Sequence, residues 1–443
     1  MQVLKNIYFR SSFFFFLLGL AFVFTLAFFI ETLFVVAQGT LILFTTACVW
    51  DVVFLFAIRK PLSISRIYPD KLSNGDQNDF QILLESRYPR TVKARVLEEL
   101  PVQLQVRNFE FDQTLKSRIP EEIHYQLRPV KRGVYSFGSC IALIRYLGFF
   151  ERRIVLKEKC DLPCYPSFIQ LRKYMLMASM NRLSEIGVKK IRRVGATLEF
   201  DRVKEYARGD EYRFINWKAT GKANKLMVNQ YQDERSQPIY SFIDLGRAMR
   251  MPFDGLTLLD YAINASLVLS NVTIVKHDRA GLLTFSKGIE KHIAAEKRNH
   301  QMYLISESLY KVQTDFSESE FGNLYSYTKR NINQRSLIFL YTNFESIDGL
   351  NRQLPYLKLM NKSHSLVVVL FKNIELLNLS RQKADRTIDI YNQIISEKFL
   401  YEKQLIIQEL QSHGIQTIYT EPSHLTVNSI NKYLEVKARG IFQ

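Results

Sequence analysis

The sequence predicts an α+β multidomain chain: an N-terminal transmembrane helical hairpin, an antiparallel β-sandwich and a doubly wound α/β domain. Three observations carry this. Residues 13–30 and 33–58 are almost uncharged and apolar, and a bilayer core needs about 20 such residues per helix. From residue 62 to about residue 159 apolar and polar residues alternate with period two, as half-buried antiparallel strands do. From residue 238 onward short apolar runs alternate with helix-period segments, the pattern of a parallel sheet covered on both faces. At 443 residues the chain exceeds one ordinary core. Its expected parts are 1–60 (hairpin), 61–160 (sandwich), 161–235 (connector) and 236–443 (α/β domain).

The first apolar run is relieved only by Gly19 and Thr25. The second is broken by Gln38-Gly39 and Asp51, so its spanning part is expected to begin near Gly39, with Asp51 near the inner end. A cleaved signal peptide is the competing reading, disfavoured because no small-residue cleavage site follows and a second span does. Lys5 and Arg10 precede the first run, and Arg59, Lys60 and Arg66 follow the second; residues 31–39 contain neither Lys nor Arg. The positive-inside rule then places both flanks in the cytoplasm and 31–39 in a short outer turn. The expected location is the inner membrane of a bacterium, with cytoplasmic soluble domains. An ionisable residue within a span is a functional candidate by default. Near Arg59 and Lys60, however, Asp51 could simply reach the headgroups. Of four cysteines, Cys48 falls in the second span, and Cys160 and Cys164 lack the second pair or spaced His that zinc requires.

Sixty Lys and Arg against 43 Asp and Glu give a net charge of +17. Such a balance suits nucleic acid or an anionic membrane surface. The basic residues are spread out, with one main cluster at Lys189, Lys190, Arg192 and Arg193, and this favours membrane lipid or plain solvation over nucleic acid.

In the sandwich, Val102, Leu104 and Val106 alternate with polar residues, as do Ile123, Tyr125 and Leu127, then Ile154 and Leu156. Asn74-Gly75 and Lys131-Arg132-Gly133 supply turns. The segment shows no catalytic cluster and reads as a spacer or docking module. In the connector, Pro163 and Pro166 keep 161–166 extended, and 168–186 has helical character ending near Gly187. The block 206–225 is dense in charges, glycines and aromatics. Strands are expected at 238–244, 281–285, 336–341, 365–371 and 415–419, and helices at 256–269, 300–312 and 388–411.

Several of these residues form a recognisable set. They are Glu199-Phe200, Tyr206, Gly209-Asp210, Arg213, Ile215, Trp217-Lys218 and Lys225, then an apolar strand closing at Asp244. Elsewhere the set includes Lys131-Arg132-Gly133, Tyr135, Phe137-Gly138, the run Asp278-Arg279-Ala280-Gly281-Leu282, and Arg335-Ser336-Leu337. In these the chain resembles the family catalogued as domain of unknown function 58. The resemblance implies a membrane-anchored protein with a von Willebrand factor A-like domain, often encoded beside a MoxR-type AAA+ ATPase. It implies no defined activity.

A working site of the von Willebrand factor A type has an Asp-x-Ser-x-Ser loop after the first strand, a Thr from a second loop and an Asp after a later strand. Magnesium favours such oxygen ligands in near-octahedral array. Here the loop reads Asp244-Leu245-Gly246-Arg247-Ala248, and Asn343 stands where the later acid is expected. Both hydroxyl positions are lost, so the site is expected to be vestigial and to hold no metal. Gly246→Ser with Ala248→Ser would then restore ligands. In the charged block, Gly209 would permit a tight turn, Asp210 and Arg213 would pair, and Trp217 would bury against an adjoining domain. Loss of Trp217 would then cost roughly 3–5 kcal/mol. Alternatively Asp210, Arg213, Trp217 and Lys218 form a docking surface.

No His-Glu-x-x-His, Walker loop or Gly-x-Ser-x-Gly elbow is present, and no cofactor motif is found. Asp233-Glu234 reads as a solvated pair. The expected role is a non-enzymatic adaptor working with a MoxR-type ATPase on an unknown client protein. A nucleic-acid binder and a hydrolase with a dispersed site are the rivals.

Overall fold

The computed structural model describes residues 6–179, 199–207, 210, 212–232, 236–298, 300–382 and 386–439. It divides into two compact units, Met1–Ser167 and Phe168–Gln443.

The first unit is β-rich. Strand β1 (Ile7–Phe9) precedes two apolar helices, α1 (Ser11–Ala27) and α2 (Glu31–Phe56). Then follow β2 (Leu62–Ile67), β3 (Leu72–Ser73), β4 (Asn78–Ser86), β5 (Val92–Glu98), β6 (Glu110–Leu115) and β7 (Pro120–Leu127). The unit closes with β8 (Gly133–Phe137), β9 (Cys140–Arg145), β10 (Phe150–Leu156) and β11 (Cys160–Tyr165). Sheets ordered β1-β10-β9-β5-β6, β3-β11-β8 and β2-β4-β7 contribute to one apolar core containing Phe80, Ile82, Val96, Tyr135, Phe137 and Ile144.

Four differences from the sequence expectation have clear causes. Helix α2 runs for 26 residues from Glu31, so residues 31–39 are helix rather than an outer turn. Gln38 and Gly39 only thin the apolar face, and neither stops a helix. Leu33–Phe56 is long and apolar enough to cross a membrane. Residues 102–106 form no strand: Val102–Leu104 is a single 3₁₀ turn after Pro101, closed by left-handed Gln105, and Val102 is 89 % exposed. Alternation without burial carried no strand there. Cys160–Tyr165 belongs to the β-rich unit rather than to a connector, pairing antiparallel with β8 and parallel with β3.

Asp51 is the fourth. It is fully buried and accepts backbone hydrogen bonds from Leu147 (3.1 Å), Phe149 (3.3 Å) and Phe150 (3.2 Å). Its carboxylate binds the β9–β10 turn to α2 and does not reach toward headgroups. Arg152 completes the junction, donating to the carbonyls of Leu55, Ile58 and Arg59. The Leu55 carbonyl lies in the last turn of α2 and the other two just beyond it, where a cation satisfies orphan acceptors and the helix dipole together.

In the second unit, α3 (Phe168–Ser179) leads to β12 (Glu199–Glu205), α4 (Trp217–Ala223), β13 (Met227–Gln232) and β14 (Pro238–Asp244). Then come α5 (Leu258–Val275), β15 (Arg279–Phe285), β16 (Ile289–Glu296), α6 (Gln301–Tyr310) and α7 (Phe321–Asn331). The last elements are β17 (Leu337–Tyr341), α8 (Ile347–Ser363), β18 (Ser365–Phe371), α9 (Ile374–Arg381), α10 (Thr387–Ser412), β19 (Gln416–Thr420) and α11 (Leu425–Ala438). Helix α3 falls within the expected 168–186, whose remainder lies outside the described residues, as do the basic cluster at 189–193 and Asp233-Glu234.

Six strands form one sheet in the order β16-β15-β14-β17-β18-β19, parallel except for β16. β14, β17 and β18 are buried along their whole length, which explains their unbroken apolar composition. One face packs on α5, α6 and α11 through Ile263, Leu267, Ile305 and Tyr433. The other packs on α7, α8 and α10 through Leu324, Leu357, Met360 and Ile406. Gly281 of the family set is needed where it stands, because a Cβ there would run into the Tyr240 ring. Asp278 ties the start of β15 to α11, accepting from Tyr433 Oη and Lys437 Nζ, both at 2.6 Å.

Candidate functional site

Two places gather the residues singled out above. The first is the β12–β13 hairpin. Its strands pair antiparallel, with Lys204 opposite Val228 and Glu205 opposite Met227. Asp210 braces the connection: Oδ1 meets Lys204 Nζ at 2.9 Å, and Oδ2 accepts from the Ala207 amide at 2.9 Å. The bond from Lys204 and the bond from that amide hold the Asp210 carboxyl below its ordinary range. The expected Asp210–Arg213 pair is therefore replaced by Asp210–Lys204, because Lys204 lies on the adjoining strand. Arg213 instead stacks on the Phe214 ring at 4.7 Å. Gly209 lies outside the described residues.

Asn216 caps α4. Its Oδ1 accepts from the Ala219 amide at 3.0 Å, and its Nδ2 donates to Asn229 Oδ1 at 2.8 Å, tying the helix to β13. Thr220 Oγ1 accepts from the Met227 amide, and left-handed Asn224 ends the helix. These bonds fix a seven-residue helix too short to persist alone. Trp217 nevertheless remains 72 % exposed, and Tyr212 76 %. The expected burial of Trp217 is not found within its own unit: position 217 opens α4 on its solvent side, and among the described residues it stays exposed. Tyr206 and Tyr212 stack at 5.7 Å, and Lys218 and Lys222 are exposed. The result is a rigid platform carrying exposed aromatics and cations.

The second place is the carboxyl edge of the six-stranded sheet. Asp244 ends β14 and is 3 % exposed. Oδ1 accepts from the Gly246 amide (2.8 Å) and from Ser319 Oγ; Oδ2 accepts from Thr342 Oγ1 (2.6 Å). Burial pushes its carboxyl above the usual range, against the pull of those donors. Asp244 is thus not the solitary carboxylate expected. Two hydroxyls converge on it, from loops other than its own.

One of them comes from a run whose spacing the sequence analysis passed over. Asp315-Phe316-Ser317-Glu318-Ser319 has the Asp-x-Ser-x-Ser spacing, but it precedes α7 instead of following the first strand. This loop lies over the Asp244 turn through Arg247 N to Ser317 O (2.9 Å) and Asp315 N to Leu245 O (3.3 Å). Gly246 has no room for a side chain, because a Cβ would meet Ser319 Oγ, and Asp244 Oδ1 at 3.0 Å. The substitution expected to restore a ligand there would instead disrupt the turn. Ala248 lines the neighbouring cavity.

Asn343 does not face a cation-binding gap. Its Oδ1 accepts from Lys403 Nζ at 2.7 Å, and the same ammonium donates to the Phe344 carbonyl. Burial pushes the Lys403 amine down to about 8, opposed by Glu345 and Glu402. The donor set therefore fits a divalent metal poorly: both Asp244 oxygens already accept, and Asn343 is held by a lysine. Among the described residues no three His, Cys, Asp or Glu side chains cluster at metal-binding distance. Lys403 carried no sequence signal, lying mid-helix among other charges.

Residues 202–377 match the family described as "Protein of unknown function DUF58". This supports the resemblance carried by the Gly-Asp, Arg and Trp-Lys residues. No curated protein matches the sequence. Among solved structures, the CARDB domain of a Pyrococcus furiosus protein aligns at 10 % identity, covering 24 % of this chain and 94 % of that one, with a TM-score of 0.17. A PapD-like domain of human CEP192 aligns at 15 % identity, over 24 % and 85 %, with a TM-score of 0.19. Proximal thread matrix protein 1 from the mussel byssus aligns at 12 % identity over 46 % and 47 %, with a TM-score of 0.28.

Proposed function

We propose that this protein is a membrane-anchored, non-enzymatic adaptor. Its α/β unit, of von Willebrand factor A-like architecture without a working metal site, presents the 206–225 block to a MoxR-type AAA+ ATPase acting on a client protein. The anchor is the α1–α2 hairpin in the inner membrane of a bacterium, with the chain after residue 60 cytoplasmic. One observation carries the docking assignment. Trp217 stays exposed on an element braced at three points: Asp210 on Lys204, Asn216 on Asn229, Thr220 on Met227. Exposed Trp, Tyr and Arg on a preorganised surface are the residue types that dominate interface energies. The flanking lysines suit an acidic partner face and fast encounter.

The test is co-purification of the full-length chain with the MoxR-type ATPase of the same organism. Trp217→Ala and Lys218→Ala should each lower the yield while leaving the melting temperature unchanged. Undiminished capture by the double variant removes the docking role from this block.

A further inference from the structure

At the carboxyl ends of β14, β17, β18 and β19 a cavity of about 440 Å³ opens beside Asn343. Open parallel sheets bind ligands at this edge, and the volume lies within the range of small-molecule sites. Its walls are largely apolar, with Phe253, Leu376 and Phe399 among them. Its charged lining is unbalanced: Arg247, Lys372 and Lys403 face a single acid, Glu345. Arg247 and Glu345 are loosely paired at 4.0 Å on exposed side chains, and Lys372 pairs with Glu421 at 3.6 Å.

Lys403 differs from both. Its amine is sunk among neutral oxygens, Asn343 Oδ1 and the Phe344 carbonyl. Among the described residues no carboxylate lies within ion-pair distance of it. An ammonium has three N–H donors, and two are used. Buried charges are normally paired, and here Glu345 and Glu402 act on the ammonium only from beyond ion-pair contact, so its place at the wall of an apolar space is open to a carboxylate in direct contact.

We propose that the cavity binds a carboxylate joined to an apolar body, with Lys403 receiving the carboxylate and the Phe253–Leu376–Phe399 wall receiving the body. This goes beyond the docking assignment of the hairpin and does not depend on it. No bond is made or broken; the ligand brings a carboxylate into direct contact with the ammonium and takes the spare donor.

The test uses the full-length chain in detergent, with binding followed by calorimetry. The probes are 3-phenylpropionate, 3-phenylpropan-1-ol and 3-phenylpropylamine, which share one apolar body. The acid should bind at least about tenfold tighter than the alcohol, the amount one charged hydrogen bond commands, and the amine weakest. Lys403→Met should abolish the preference. Should that variant fail to fold, the wild-type chain still decides: acetic anhydride at pH 8 should acetylate Lys403, and the acid should slow that labelling while the alcohol does not. A capped Phe-Glu dipeptide distinguishes the source of the carboxylate. Tighter binding than 3-phenylpropionate points to an acidic side chain of a protein, and weaker binding to a free small molecule. Equal binding of acid and alcohol, or acetylation unaffected by the acid, overturns the proposal.

Discussion

Thr342 Oγ1 donates a 2.6 Å hydrogen bond to Asp244 Oδ2, joining positions 98 residues apart at the ends of adjacent strands. With Ser319 and the Gly246 amide it engages both oxygens of the carboxylate. At these strand ends the carboxylate is held by the protein's own donors.

Magnesium should therefore leave the chain unchanged. A ligand specific to the folded state adds about 2.7 kcal/mol of stability at a hundredfold excess over its Kd. Melting curves with and without millimolar Mg²⁺ should superimpose. A rise that disappears in Asp244→Ala would establish a working site.

Gly246→Ser should destabilise by roughly 1–3 kcal/mol, the range for overpacking a tight site, because its Cβ enters the space of Ser319 and Asp244. Ser319→Ala in the same chain should relieve part of the loss. Urea unfolding of the two single variants and the double variant measures this coupling.

Lys403 gives a pH signature. Its amine falls from an ordinary 10.5 to about 8 in the folded chain. Between those values the unfolded chain holds a proton that the folded chain does not, so this group makes stability rise as pH climbs from 8 to 10.5. Below pH 8 its penalty is fully present, on the order of 3 kcal/mol. Wild type should therefore gain on Lys403→Met across that window. Parallel stability curves would show that the amine is not desolvated.

Trp217→Ala should change stability by less than about 0.5 kcal/mol, as exposed positions do. Asp51→Ala should behave oppositely. It leaves the amides of Leu147, Phe149 and Phe150 without this acceptor, and the buried Phe150 amide alone costs roughly 1–3 kcal/mol. Asp51→Asn, with one carbonyl oxygen, should recover part of that. Thermal melts of the three variants in one detergent compare them directly.

A cytoplasm-dependent reporter fused at Gln443 should be active in cells. Labelling from outside of a cysteine introduced beyond residue 70 would reverse the proposed orientation and remove the proposed cytosolic partner.

The sheet was legible because β14, β17 and β18 are buried on both faces and spell it as continuous apolar runs. β16 was not, since an edge strand such as Ile289–Glu296 needs only one covered face and keeps its polar residues. Val102, Leu104 and Val106 misled for the converse reason: alternation signals a strand only if one side meets a core. At the site, Asp244 and Asn343 could be placed from strand ends. Ser319, Thr342 and Lys403 could not be joined to them, because hydroxyls and amines from separate loops and helices meet only after folding. Trp217 was misread because a large aromatic is ordinarily core.

Strand β1 pairs with β10, Phe9 opposite Phe150, so an edge strand of the five-stranded sheet is made long before the strand it pairs with. At synthesis rates of 5–20 residues per second, roughly 7–30 s separate the two, and the apolar hairpin emerges in the interval. The hairpin must settle while the sheet that frames it is unfinished. The β10 edge stays open until the chain's first residues return to it, and open edges recruit other chains. An N-terminal tag that replaces residues 6–10 would leave that edge bare for good, turning a purification handle into a nucleus for aggregation.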